Sequence, residues 1–155
     1  MKRLLAIVAA CCLLGAPASG LAQEGFGLGV ILGEPTGVSA KLWLGGNRAV
    51  AAAAAWSLAE ENAFQFHADY LWHNFALFRP DVPGRFALYY GVGGRLKIQD
   101  EEHKDVVGAR FPLGLAYHFP QAPVDLFVEV VPALDLLPDT GFDLDAALGA
   151  RFYFR

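Results

Sequence analysis

The chain has 155 residues, a formal charge of −4, 55% hydrophobic side chains and only 18% charged ones. That length holds one domain rather than two, the acidic balance offers no basic footprint for nucleic acid, and the composition is apolar for a water-soluble domain. Seventeen glycines and 13% aromatic residues point to strands and turns rather than helices.

Residues 1–22 read as a secretory signal. Lys2 and Arg3 form its positive end, Leu4 to Leu14 its short apolar core, and Gly20-Leu21-Ala22 the small residues before a cut that would start the mature chain at Gln23. The segment is too short, and too broken by Gly15 and Pro17, for a membrane helix. Val8-Ala9-Ala10-Cys11 resembles a lipoprotein acylation box, but the apolar core before it would be very short and more apolar residues follow. Cys11 and Cys12 both lie in the signal, so the mature chain would have no disulfide and no cysteine metal site. Removing Lys2 and Arg3 leaves 10 basic against 16 acidic residues, a mature charge of −6. Beyond the signal no apolar run approaches the roughly eighteen residues of a spanning helix. Entry into a membrane would have to be as strands.

Eight segments then alternate with a period of two, the signature of a strand with one apolar and one polar face. Gly25 to Leu32 sets Phe26, Leu28, Val30 and Leu32 against glycines, and Glu34-Pro-Thr-Gly37 turns the chain. Val38 to Leu44 sets Val38, Ala40, Leu42 and Leu44 against Ser39, Lys41 and Trp43, and Gly45-Gly-Asn-Arg48 is a hairpin turn. Ala49 to Leu58 is alanine-rich, with only Val50, Trp56 and Leu58 to mark its phase. Ala63 to His73 alternates Phe64, Phe66, Ala68, Tyr70 and Trp72 with Gln65, His67, Asp69, Leu71 and His73; Asn74 to Gly84 follows as the longest irregular segment.

Arg85 to Ile98 and Val106 to Phe119 continue the pattern, joined by the charged loop Gln99 to Asp105. Pro112 lacks a ladder donor and predicts a bulge. After a tight turn at Pro120 to Pro123 come Val124 to Leu136 and, last, Gly141 to Arg155. In that last strand Phe142, Leu144, Ala146, Leu148, Ala150, Phe152 and Phe154 form an unbroken apolar register. It is long for a soluble strand of about five or six residues and suits a bilayer crossing of roughly nine to eleven.

Charge placement decides between architectures. Every charged strand residue falls opposite the aromatics and large aliphatics: Lys41, Arg85, Arg95, Lys97, Arg110 and Arg151 against Asp69, Asp125, Glu129, Asp135, Asp143 and Asp145. A soluble sandwich or barrel would turn these to water; a membrane barrel turns them inward and the apolar face to lipid. Three features favour the second. With the N-terminus periplasmic, Phe26, Trp72, Phe86, Tyr117, Phe119, Phe152 and Phe154 gather at one rim and Trp56, Phe64 and Phe142 at the other, a double aromatic girdle. Glycine and alanine in the polar register leave room for long arginines crossing a narrow lumen. An even strand count closes a sheet without edges, as lipid demands. The expected fold is therefore all-β, an eight-stranded antiparallel up-and-down transmembrane β-barrel over residues 23–155.

A barrel of eight strands is filled by its own side chains, so the twelve charges would form a lumen network, and burial requires most of them to be paired. Folding the hairpin about Pro120–Pro123 places His118 beside Asp125 inside.

The signal, the eight amphipathic strands and the aromatic-ended last strand together resemble the small outer-membrane barrels of the OmpA/OmpX-like kind. Gly33-Glu-Pro-Thr-Gly-Val-Ser-Ala-Lys41-Leu-Trp43 also resembles the first hairpin of a group of uncharacterised predicted bacterial barrels. The resemblance implies residence in the outer membrane of a Gram-negative cell, outer-membrane lipid and the barrel assembly machinery as partners, a monomer, and no cofactor.

Candidate sites stand beside plainer readings. His67, Asp69 and His73 share a strand face and could ligate a metal; lumen lining is the simpler role. Asp135, Asp139, Asp143 and Asp145 crowd one mouth and could hold a hard cation, or stand as solvated acids. A lipid-modifying serine hydrolase needs a base beside its nucleophile; Ser39 and Ser57 have no histidine near in sequence, and Glu129 has the simpler role of pairing with an arginine. The leading expectation is a non-enzymatic integral outer-membrane barrel with a structural, surface-binding or limited permeation role. A soluble periplasmic lipocalin-like binding barrel and a lipid-modifying hydrolase are the alternatives. A true pore is disfavoured, since a wide aqueous channel takes roughly sixteen strands.

Overall fold

A computed structural model describes residues 25–56, 63–78, 81–99 and 104–154. The expected signal peptide at 1–22 with Cys11, Cys12 and its cleavage site lies outside the described residues, as do Ser57, Leu58 and Arg155. The strands are β1 (Phe26–Glu34), β2 (Thr36–Gly45), β3 (Arg48–Trp56), β4 (Phe64–Asn74), β5 (Arg85–Ile98), β6 (Val106–Arg110), β7 (Leu113–His118), β8 (Val124–Leu137) and β9 (Gly141–Phe154). Each pairs antiparallel with its chain neighbour, β6 and β7 together occupy one position between β5 and β8, and β9 returns to β1. The sheet is a closed ring of eight positions. Phe26 pairs with Phe154, so the two ends of the barrel chain meet at one rim.

The split between β6 and β7 falls at Phe111-Pro112, but no bulge forms there. Gly93 pairs with Arg110 and Tyr90 with Leu113; on the other side Ala133 pairs with Arg110 and Val130 with Leu113. Both partners skip as many residues as the break does, so the phase is kept. Proline removes one donor from the ladder, while Pro112 O still accepts from Gly91 N at 2.9 Å and Phe111 N donates to Pro132 O at 2.9 Å. The register shifts lie elsewhere, between Val107 and Gly108 against β8 and between Trp43 and Gly45 against β3. Each leaves one residue, Leu136 or Leu44, unopposed.

The alternation is oriented apolar-out. Phe64, Tyr90 and Leu148 are 48%, 53% and 54% exposed, whereas Lys41, Arg110 and Asp125 are at most 1% exposed. The alanines of β3 obey the same phase: Ala49, Ala51, Ala53 and Ala55 are buried and Trp56 faces out. A soluble barrel would forgo the burial of every one of those outward side chains, each worth about 1.5–3 kcal/mol.

Glycines on the inward face do more than make room for arginine. Four stand directly across from a bulky partner: Gly27 from Tyr153, Gly91 from Leu71, Gly114 from Tyr89 and Gly149 from Phe127. In each case the large side chain lies over the glycine. A Cβ on Gly149 would strike both the Phe127 ring and the Val30 carbonyl, and backbone cannot step aside. Gly149→Val is expected to cost about 1–3 kcal/mol by overpacking, read as a lowered urea midpoint for the refolded barrel.

Candidate functional site: the charged lumen

The inward side chains form three tiers. Nearest the rim opposite the chain ends, Arg95 on β5 faces β8 and β9. Its Nε and Nη2 donate to Asp135 Oδ1 at 2.9 and 2.7 Å, Nη2 also to Asp143 Oδ2 at 2.9 Å, and Nη1 to Asp145 Oδ2 at 3.2 Å. Lys97 Nζ donates to the same Asp143 oxygen at 2.9 Å. Two cations thus hold three carboxylates, and the tier is wettest at Asp143, whose side chain is 40% exposed. Asp139 lies outside it, on the exposed β8–β9 turn.

At mid-height Arg110 bridges β4 and β8. Its Nε lies 2.9 Å from Asp69 Oδ1 and its Nη2 3.6 Å from Glu129 Oε1. The Nε–H is not aimed along the short contact, so that attraction is Coulombic rather than a directed hydrogen bond. Tyr89 completes the tier, its hydroxyl donating to Glu129 Oε2 at 2.9 Å.

The third tier surrounds Asp125, which is fully buried. Oδ2 accepts from the Tyr153 hydroxyl at 2.5 Å. Lys41 Nζ and Arg151 Nη1 each lie 3.9 Å from the carboxylate. Arg151 donates through Nε to Ser39 Oγ at 2.9 Å and lies 3.7 Å over the Phe127 ring. Lys41 Nζ is 2.8 Å from His73 Nε2 and 4.5 Å from the Trp43 ring, the desolvated setting in which a cation–π contact is strongest. An aromatic cap of Trp43, His73, Phe75 and His118 closes the lumen at the end where the chain ends meet.

Arg85 is a correction. Its phase placed it in the lumen network, but it stands exposed at the rim, guanidinium 4.4 Å over the Phe75 ring. It is the first residue of β5, where inward phase already points past the mouth. His118 and Asp125 are cross-strand partners, as the hairpin required. The Asp125 carboxylate is nonetheless taken by Tyr153, Lys41 and Arg151, and His118 Nε2 has no hydrogen-bond partner.

The metal reading finds its three residues apart. His67 faces Gln65 at 3.4 Å, Asp69 faces Arg110, and His73 lies between Lys41 and the Asn47 carbonyl. Among the described residues no three His, Cys, Asp or Glu are grouped to hold an ion. Ser39, the one described serine weighed as a nucleophile, accepts from a guanidinium rather than facing a base. The described lumen holds these three tiers of charged and aromatic side chains rather than an apolar lining.

The aromatic residues stand outward at both rims. Phe86 packs on Tyr117 and Tyr117 on Phe119 at ring separations of 4.8 Å, Phe152 meets Phe154 at 5.3 Å, and Trp72 stacks on Tyr90. At the far rim Trp56 meets Phe64 at 6.3 Å, and Phe142 is 73% exposed.

No family model matches the sequence, and no curated protein matches it. Among solved structures the chain is similar to the N-terminal β-barrel domain of Pseudomonas aeruginosa OprF, with 17% identity and a TM-score of 0.57 over 85% of this chain and 98% of that one. The likeness is one of fold, a closed β-barrel. With its closed ring and outward apolar face, the chain is an eight-stranded antiparallel up-and-down transmembrane β-barrel.

Tyr89, Phe127 and Tyr153 share the inward phase of the charged residues, and they are the phenols and ring that bind Glu129, Arg151 and Asp125. Phase could not reach Phe75, which lies past the end of β4 where alternation stops.

Proposed function

We propose that this protein is an integral outer-membrane barrel that acts as a closed, non-enzymatic scaffold rather than a diffusion pore. The carrying observation is the mid-height tier: buried Arg110 lies between Asp69 on β4 and Glu129 on β8, and buried Tyr89 donates to Glu129, so the tier links facing strands across the lumen. An open channel through that layer would strip paired charges that cost several kcal/mol each to strand. The location is supported by the likeness to the OprF barrel domain and by the leader-like residues 1–22. The rim carrying the chain ends is assigned to the periplasm, because a barrel inserting from that side need not carry its ends across.

Fractionation with gel electrophoresis tests this reading. The protein should sediment with the outer membrane and migrate faster unheated than boiled, since a closed barrel resists the detergent until heated. Recovery in the soluble periplasm with one mobility would refute it. In planar bilayers the purified protein should give no conductance of the size seen with wide, roughly sixteen-stranded pores.

A further inference from the structure

The connection from β4 to β5 is pinned at both of its ends. Phe75, the first residue beyond β4, turns into the lumen mouth, its ring 6.2 Å from those of Trp43 and His73 and 5.7 Å from that of His118. Asn74 Oδ1 accepts from Ala76 N at 2.9 Å and fixes the bend around it. The last residues lie instead against the outer wall. The outward Tyr117 of β7 donates its hydroxyl to the Pro83 carbonyl, and a Cβ on Gly84 would strike the Tyr117 ring. Gly84 also has a φ of +107°, so the turn onto the wall asks for glycine twice over.

Between these pins the connection presents apolar side chains. Leu77, Phe78 and Val82 are 56%, 45% and 50% exposed. Among the described residues of the connection, 75–78 and 81–84, Asp81 is the one charged residue. Phe78 lines a crevice together with Phe86, and Phe86 packs on Tyr117 and Tyr117 on Phe119 at ring separations of 4.8 Å. The exposed side chains thus continue the lipid-facing aromatic belt beyond the ends of the strands. A pinned loop cannot fold them away, so in water they would forgo a burial that a membrane interface supplies.

Depth follows from the backbone. None of the described residues of the connection belongs to a strand, and irregular backbone open to lipid cannot enter the hydrocarbon core. At headgroup level both demands are met: water and polar headgroups reach the backbone, and the side chains meet the adjoining ends of the acyl chains.

We propose that the β4–β5 connection is a membrane-interface anchor, with Leu77, Phe78 and Val82 set just below the phospholipid headgroups of the leaflet at the rim that carries the chain ends. The proposal rests on the membrane reading above and extends it to a segment outside the strands. Phe78→Trp, with phenylalanine in place of Trp43, Trp56 and Trp72, is the reporter. It is refolded into phosphatidylcholine vesicles brominated either near the headgroup end of the acyl chains or near their termini. The shallow bromines should quench its emission at least about twofold more than the deep ones, and acrylamide in the water should quench it several-fold less than in the urea-unfolded chain. Quenching by neither lipid with free access of acrylamide, or stronger quenching by the deep bromines, would overturn the proposal. Shielding from lipid and acrylamide together would overturn it too, since a second copy of the chain would then cover the patch. Unheated gel mobility confirms that the reporter is folded. If Phe78→Trp does not refold, Val82→Trp carries the same expectations and the same contradictions. Failure of the membrane reading would look different: Trp56 and Trp72, as single reporters within the strands, would then go unquenched as well.

Discussion

Leu148→Arg is expected to destabilise the bilayer-inserted barrel by about 2–4 kcal/mol, the cost of an arginine at the lipid midplane. Leu148 lies midway along β9 between the outward Phe142 and Phe152–Phe154, and is 54% exposed on the bare barrel. Urea unfolding from lipid vesicles measures the change. The sign is what makes this informative. At a half-exposed site on a soluble barrel the same substitution would fall within about ±0.5 kcal/mol. Moved toward a rim, to Phe152, the penalty should shrink to about 0–1 kcal/mol as the charge reaches the interface.

Arg110→Met should cost about 3–5 kcal/mol, because it leaves Asp69 and Glu129 buried without their cation. The loss is of compensation, not of packing, since methionine fills much of the same space. Adding Asp69→Asn and Glu129→Gln should recover most of it, as Tyr89 can still donate to the residue at 129. Equal destabilisation of the single and triple variants, again in urea, would show that the tier is held by shape rather than charge. Arg95 is a weaker target, because its partner Asp143 is 40% exposed and water can take over part of its role.

The inversion of the fold was legible because period-two alternation keeps its phase over long strands and, among the described residues, charge enters the apolar register only at the strand ends Glu34 and Arg48. β9 shows this best: fourteen residues, one strict pattern, both rims marked by phenylalanine. Even alanine-rich β3 takes its phase in the sequence from Val50, Trp56 and Leu58. What pattern could not supply was registration between strands. Pro112 looked like a bulge in one strand, but its neighbours β5 and β8 skip in step and the shift appears instead opposite Leu136 and Leu44. Pairing choices were equally hidden. Phase put His118 beside Asp125, yet three stronger partners reach that carboxylate from β2 and β9. Arg85 and Phe75 fell where the pattern ends, at a strand start and in a loop, so one was placed too deep and the other not at all.

The three tryptophans offer the most direct test of the outward apolar face. Trp56 and Trp72 are 45% and 37% exposed, and Trp43 is 7% exposed beside Lys41 in the lumen. Single-tryptophan variants, with phenylalanine at the other two positions, can be refolded into vesicles containing brominated lipid. Trp56 and Trp72 should be strongly quenched and Trp43 spared. Quenching of Trp43 equal to theirs, or no quenching of Trp56 and Trp72, would contradict a barrel that turns its oily side chains to lipid.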